Sequence, residues 1–347
     1  MKIDGIGISF PEKEIGIDET IKMIAENSRA SFEGNLDETL NIIRDKLIRS
    51  GAKTRRWLED KERPIDHIKK ATLQALEQAS CQIEDIDLLI YAGVGTGFIE
   101  PGQAYIAAHA LGMDSVQCFD ILEACMSWTR ASQIAHSFIK SGTYQRVLIV
   151  NGEFVNIKNG PIYPCNYKLK NNDELKWILP SYTIGNVAAA TILSSKEDIS
   201  WEWHFSGRPD YANLCTIPIA DTSMFSEGEE KIGKSGVNRF TSYGGDLHRH
   251  AGEELPKVFS KLSLPTETIK KVFIHASSKT AWESYGESLG IKNKLYHIYP
   301  DYGNLVSASI PVAIQLAYQN ESIKKGDQLV GLMASAGMSF CSFAFKF

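Results

Sequence analysis

Residues 120–142 read DILEACMSWTRASQIAHSFIKSG. The apolar run that leads into them, Val116 to Ile121, predicts a strand. From about Cys125 to Ser141 apolar residues recur at helical spacing, and Gly142 closes the helix. Cys125 therefore stands at a strand-to-helix turn between small residues. A thiol placed there lies near the positive end of a helix dipole, which favours the thiolate. A lone cysteine is more often an inert buried thiol, and Cys81, Cys118, Cys165, Cys215 and Cys341 are read that way. The strand–turn–helix setting moves Cys125 towards a nucleophile.

Strands and helices alternate on both sides of this stretch. Met1 to Phe10 reads as a first strand. A helical pattern from Ile65 to Ala79 precedes the strand Asp87 to Val94, and Arg146-VLIVNG follows the nucleophile helix. The second half repeats this grammar. Leu255 to Leu262 reads as a helix, Lys271-VFIHA as a strand, and Trp282 to Leu289 as a helix ended by Gly290. Ser307 to Tyr318 predicts another helix, with Gln328-LVGLMAS and Ser339 to Phe347 as closing strands. EDIDLLIYA (84–92) superposes on ETIKKVFIH (267–275) at an offset of 183 residues, and SGTYQRVLIVNG (141–152) on KGDQLVGLMAS (325–335) at 184. A period that long implies two similar αβ halves, not a solenoid. The same offset carries Cys125 to the neighbourhood of Ser309, so both halves offer equivalent strand ends to one site. Two excursions without a sustained period, 156–181 and 207–245, read as long loops of the kind that contact substrate.

The 347 residues are 43% hydrophobic and 23% charged, with a formal charge of −5. That is an ordinary soluble globular composition, and it gives no reason to expect nucleic acid as a partner. No run of eighteen apolar residues exists, so no membrane span is expected, and the N-terminus lacks a signal-peptide core. Six scattered cysteines without a CxxC pair argue against zinc or a disulfide framework and for reduced thiols in the cytoplasm.

His275 ends the apolar strand 272–274, and Asn304 follows Gly303 at a turn. Each has a plain reading, as a hydrogen-bonded core histidine and as a left-handed turn residue. With Cys125 they make a Cys/His/Asn set in which His moves a proton and Asn donates hydrogen bonds.

At this point the chain resembles the β-ketoacyl-(acyl carrier protein) synthase III family of the thiolase superfamily. Phe119-DILEACMSW is similar to the family's Asp-x-x-x-Ala-Cys-x-x-Phe region, with Trp128 in the aromatic position. His275 matches the His of His-Gln-Ala-Asn, and Gly303-NLVSASIP matches Gly-Asn-Thr-Ser-Ala-Ala-Ser. Ala336-GMSF matches the glycine-rich turn that supplies an oxyanion-hole amide. The chain departs from the family at Ser278, where the motif has Asn, at Asn186 in Gly185-NVAAA, where it has Asp, and at Ala336, where glycine is usual. These changes suggest a specialised branch, in fatty-acid or secondary-metabolite synthesis.

The resemblance implies an internally duplicated, five-layered αβαβα thiolase fold, with halves at 1–185 and 186–347. It implies an acyltransferase that loads an acyl group from coenzyme A or an acyl carrier protein onto Cys125. A Claisen-type condensation with a second thioester then follows, with His275 and Asn304 as partners and the amides of Cys125 and Ala336 as oxyanion hole. No metal or other cofactor is implied. Arg49, Arg56 and Trp57 fall in a basic-aromatic cluster, with Lys53 and Arg55, suited to coenzyme A or a carrier protein; a solvated basic turn is the alternative. The family pairs the strand before the nucleophile across a two-fold axis, which implies a homodimer. Olefin-pathway and pyrone-forming branches carry a glutamate before the proline that here is Pro101. Glu100 would thus reach the partner's acyl pocket as a base for an α-proton, or serve only as a charge at a helix start. Glu123 is a weaker contender. Alternative functions are acyl transfer to an oxygen or nitrogen acceptor, and a non-catalytic ketosynthase-like subunit.

Overall fold

Small residues let the backbone layers of this protein approach one another closely. On Gly7, in the strand Lys2–Ser9, a Cβ would lie 1.9 Å from the Ala71 carbonyl oxygen of the helix Pro64–Ala79. Glycine is required there, and Ala71, Ala75 and Ala79 supply the flat helix face opposite. The computed structural model describes residues 1–227 and 230–347; positions 228 and 229, inside the excursion 207–245, lie outside them.

The first sheet runs Lys2–Ser9, Val187–Ser194, Arg146–Glu153, Leu88–Ala92, Gln117–Ile121. The second runs Trp201–Gly207, Ser339–Lys346, Gln328–Ser335, Lys271–Ile274, Leu295–Tyr296. In each, the first three strands are mutually antiparallel and the last three are mutually parallel. The two sheets are thus one design used twice, as the offsets near 183 require. The division expected at 185/186 is corrected. Val187–Ser194 is buried throughout and pairs antiparallel with both Lys2–Ser9 and Arg146–Glu153 of the first sheet, so the first unit extends through Ser194 and the second begins with Trp201. The run VAAATILS declares a buried strand but not which sheet receives it.

Helices Ser127–Lys140 and Ser309–Gln319 lie between the sheets. The first buries Trp128, Ala131, Ala135 and Ile139 against its own sheet, and Trp128 also meets Phe343 of the other. The Trp128 indole N–H donates to Thr191 Oγ1 at 3.0 Å, which satisfies a polar atom inside this apolar layer. Pro64–Ala79 and Gln103–Ala110 cover the outer face of the first sheet. Gly244–Phe259 and Lys279–Ser288 cover the second. The result is five layers, αβαβα, with one hydrophobic core between the sheets and one beneath each outer layer.

The outer edge of Lys2–Ser9 is closed by side chains. Gln78 and Gln74 accept the outward N–H groups of Ile6 (2.7 Å) and Ile8 (3.0 Å). The opposite edge, Gln117–Ile121, pairs on one side only, with exposed Phe98, Ile99, Tyr105 and Leu122 in the neighbouring segments. The sequence reading passed over the helices Ile17–Ser28 and Leu36–Ser50 and the hairpin of Lys13–Gly16 with Thr54–Trp57. No helix among the described residues is long and apolar enough to cross a membrane.

Candidate active site

Two turns of opposite halves meet at the mouths of the parallel strands. Each begins on a residue in the left-handed region, Ala124 at φ 46° and Val306 at φ 49°. Each continues as a 3-10 turn, 124–126 and 306–308, into the central helix of its half. Such a φ is an outlier for a β-branched residue. The duplication therefore sets Cys125 opposite Ser307, two residues before the Ser309 that the offset indicates.

The nucleophile turn is tied down from several directions. The Asp120 carboxylate accepts the Gln103 and Ala104 N–H groups, both at 2.7 Å, and so caps the helix Gln103–Ala110. Ser335 Oγ accepts the Met126 N–H at 3.1 Å, which draws the turn at Ala336-Gly337 over Cys125. The backbone amides of Cys125 and Ala336 favour the Cys125 thiolate. Burial nevertheless pushes the thiol pKa well up, ahead of the nearby Cys215 and Glu153. The expected dipole-stabilised thiolate is corrected. The α-helix proper starts only at Ser127, and loss of water outweighs the two amides, so the resting group is a thiol that needs a base.

His275 ends its strand 7% exposed. Ser309 Oγ donates to the Val306 carbonyl at 2.8 Å and offers its lone pair to His275 Nδ1 at 3.3 Å. The imidazole proton therefore sits on Nδ1, leaving Nε2 unprotonated. Burial first, and the neighbouring His248 second, push the His275 pKa down to about 3. Asn304 is clamped by two backbone bonds, its N–H to Thr183 (2.7 Å) and its carbonyl from Gly185 (3.0 Å). Its Oδ1 accepts the Val306 N–H at 2.8 Å, so Nδ2 remains as a donor. A Cβ on Gly185 would lie 2.3 Å from the Tyr302 carbonyl oxygen, which explains the glycine.

Cys125, His275, Asn304 and Ala336 all line one cavity of about 950 Å³. Leu47, Val94, Val155, Ile162, Leu175 and Ile184 give it apolar walls, with Lys46, Lys176 and Lys231 also at its margin. Two departures from the family motifs have local explanations. Ser278 caps the helix Lys279–Ser288 by accepting the Ala281 N–H at 3.3 Å. Asn186 accepts the Asn156 N–H (3.3 Å) and donates to the Asn156 carbonyl (2.9 Å), a pairing that a carboxylate cannot complete.

Other expected residues lie elsewhere. Trp57 is 6% exposed, packed on Tyr163 and Tyr167 with its indole N–H on the Ile184 carbonyl, so the expectation that it contacts coenzyme A or a carrier protein is corrected. Arg56 pairs with Glu14 and the Glu12 carbonyl, away from the cavity lining. Arg49 is exposed on the helix whose Lys46, Leu47 and Ser50 line the cavity. Glu100 is exposed on its loop and does not line the cavity of its own chain. Glu123 is held by Arg130 at 2.7 Å.

Three residues at the site had no sequence signal. Cys215, read as inert, lines the cavity, with burial pushing its thiol up to about 11. Glu153, fully buried behind Cys125, accepts the Gly95 N–H (3.1 Å), the Ser307 N–H (3.2 Å) and the Ser307 hydroxyl; burial pushes its pKa up to about 7. His248, in the first turns of Gly244–Phe259, also faces the cavity. No group of three or more His, Cys, Asp or Glu suited to a metal occurs among the described residues.

A duplicated αβαβα molecule whose two halves jointly frame a half-buried cysteine is the thiolase fold. Models of 3-oxoacyl-[acyl-carrier-protein] synthase III and of its C-terminal part match residues 119–157 and 259–347. β-Ketoacyl-[acyl-carrier-protein] synthase III of Fusobacterium nucleatum is 28% identical over 346 residues, covering 96% of this chain and 99% of the relative. That of Aliarcobacter butzleri is 29% identical over 329 residues, covering 92% and 93%. Among solved structures, OleA of Xanthomonas campestris with bound lauric acid and lauroyl-CoA superposes with a TM-score of 0.82 at 20% identity, covering 99% of this chain and 98% of that one. 3-Oxoacyl-[acyl-carrier-protein] synthase III of Aquifex aeolicus gives 0.77 at 21%, covering 100% and 99%. The chain is thus similar to the 3-oxoacyl-[acyl-carrier-protein] synthase III enzymes in sequence and shares their fold.

Proposed function

We propose that the protein is an acyltransferase that loads an acyl thioester on Cys125 and condenses it with a second thioester. The observation that carries this reading is the single apolar-walled cavity lined together by Cys125, His275, Asn304 and Ala336. His275 Nε2 takes the thiol proton, and the thiolate attacks the thioester carbonyl. The amides of Cys125 and Ala336 hold the oxyanion, one such donor being worth ~3 kcal/mol. The departing thiol recovers the proton from His275, which returns to its neutral form. In the second stage the Asn304 Nδ2–H donates to the enolate oxygen of the incoming thioester.

The apolar walls suit an acyl chain, and the lysines at the margin suit an anionic carrier, coenzyme A or an acyl carrier protein. The relatives are named for acyl carrier protein, and OleA was solved with lauroyl-CoA. The open strand Gln117–Ile121 and its exposed apolar neighbours support a homodimer. Six unpaired thiols suit a reducing compartment such as the cytoplasm. Intact-protein mass spectrometry with a panel of acyl-coenzyme A and acyl-carrier thioesters tests the reading. One acyl adduct per chain is expected, lost in Cys125→Ala. An adduct that survives in that variant, or maps to Cys118 or Cys215, overturns it.

A further inference from the structure

Condensing two acyl thioesters without loss of carbon dioxide requires a base for the α-proton of the second one. Glu100 is exposed outside the cavity of its own chain. His275 is already assigned to the proton of Cys125. His248 is the other histidine in the cavity wall.

The hydrogen bonds of His248 fix its tautomer. Tyr285, on the helix Lys279–Ser288, donates its single phenolic proton to the His248 backbone carbonyl at 2.6 Å. The same oxygen lies 3.0 Å from His248 Nδ1. With its proton committed, the phenol can only accept there, so Nδ1 carries the hydrogen and Nε2 is bare. Nε2 has no protein partner among the described residues, in a ring that borders the cavity. Tyr285 is itself fixed, its ring edge-on to Trp282 at 5.5 Å, while the Trp282 indole N–H bonds Ser277 at 2.7 Å. Burial lowers the His248 pKa and raises that of Tyr285, so the pair stays neutral at pH 7. His248, Cys125, His275 and Asn304 all line the same cavity, which places His248 beside the catalytic set.

We infer that His248 Nε2 is the base that removes the α-proton of the second thioester, with Tyr285 as its positioning residue. This rests on the two-thioester condensation proposed above. Nε2 takes the proton, and the α-carbon electron pair forms the C–C bond to the acyl carbon on Cys125. The C–S bond breaks, its electron pair leaving on the Cys125 sulfur. The proton held by His248 returns to that sulfur by way of the cavity, and both groups regain their starting forms. The cavity thus holds two neutral histidines with the same tautomer, one for each half-reaction.

The test uses the acyl-CoA that loads Cys125 and follows three readouts. They are the acyl adduct by mass, exchange of the α-hydrogen of the acyl-CoA in D2O, and formation of the two-acyl product. His248→Gln keeps an acceptor atom but cannot take the proton. It is expected to load Cys125 and hold the KM for the second thioester within a few-fold of wild type. Exchange and condensation should fall at least 100-fold. Tyr285→Phe should lower kcat for exchange about tenfold with KM unchanged, which separates orientation of the base from general damage to the fold. Exchange and condensation at wild-type rates in His248→Gln, or no α-exchange in the wild type, would overturn the inference. No adduct on wild-type Cys125 would instead sink the loading reaction itself.

Discussion

Replacing Glu153 with Gln tests whether a carboxylate really bridges the two halves in the absence of water. Its pKa is raised from 4.5 to about 7, chiefly by burial, against the opposing donors from Ser307, Val94 and Gly95. In the unfolded chain the group titrates near the ordinary value. Between these two values the folded protein binds the extra proton, so the associated stability is fully present below about pH 4.5. It is lost as pH rises through about 7. At roughly 1.4 kcal/mol for each tenfold change in proton affinity, the loss is about 3 kcal/mol. Urea unfolding of wild type and Glu153→Gln at pH 4.5, 6 and 8 isolates this contribution, because every other titrating group cancels in the difference. Gln carries a constant penalty, since its NH2 must face donors that a carboxylate accepts. The expectation is that wild type loses about 3 kcal/mol more than the variant between pH 4.5 and 8. A difference that does not change with pH would refute the buried-carboxylate argument.

Other outcomes follow from the same geometry. Asn304→Ala should leave acyl-enzyme by mass but little condensed product by chromatography, whereas His275→Ala should slow the loading itself; equal loss of both steps in Asn304→Ala would make it part of nucleophile activation alone. Because His275 stays neutral down to about pH 3, the wild-type acylation rate, measured by rapid quench, should show no acid limb near pH 6.5, and a limb there would contradict the assigned burial. Glu100→Gln should load Cys125; if it condenses two acyl thioesters at the wild-type rate, Glu100 is only a charge at a helix start. Light scattering at micromolar concentration should give twice the mass of one chain, and a monomer would count decisively against pairing of Gln117–Ile121.

The sequence made some of this legible because its signals are local. A strand, a turn and an amphipathic helix announce Cys125, and the recurrence near 183 announces the doubled sheet. His275 and Asn304 could be named because each follows a recognisable element, and Ala336 through the family resemblance. Residues that act through long-range contacts left no trace. Glu153 reads as the last letter of a buried strand, and only folding brings it to Ser307, 154 residues away. His248 reads as one more polar residue in a helix until Tyr285 is placed against it. Trp57 misled in the opposite way: its arginine neighbours suggested a surface, while its own apolar bulk decided its place in the core. The helix dipole at Cys125 was a correct local effect, overridden by burial that no short window of sequence can measure.

The glutamines on the edge of the first sheet limit the ways in which that sheet can pair. Gln74 and Gln78 occupy the outward N–H groups of Ile6 and Ile8, which makes Lys2–Ser9 a poor template for another chain. The sheet keeps a single adhesive side, Gln117–Ile121, and therefore has a valence of one. Two such bodies that join edge to edge exhaust each other, and the united ten-stranded sheet ends in glutamine-sealed margins at both extremities. Growth through this sheet stops at a pair, whereas a chain with both margins open could polymerise without limit.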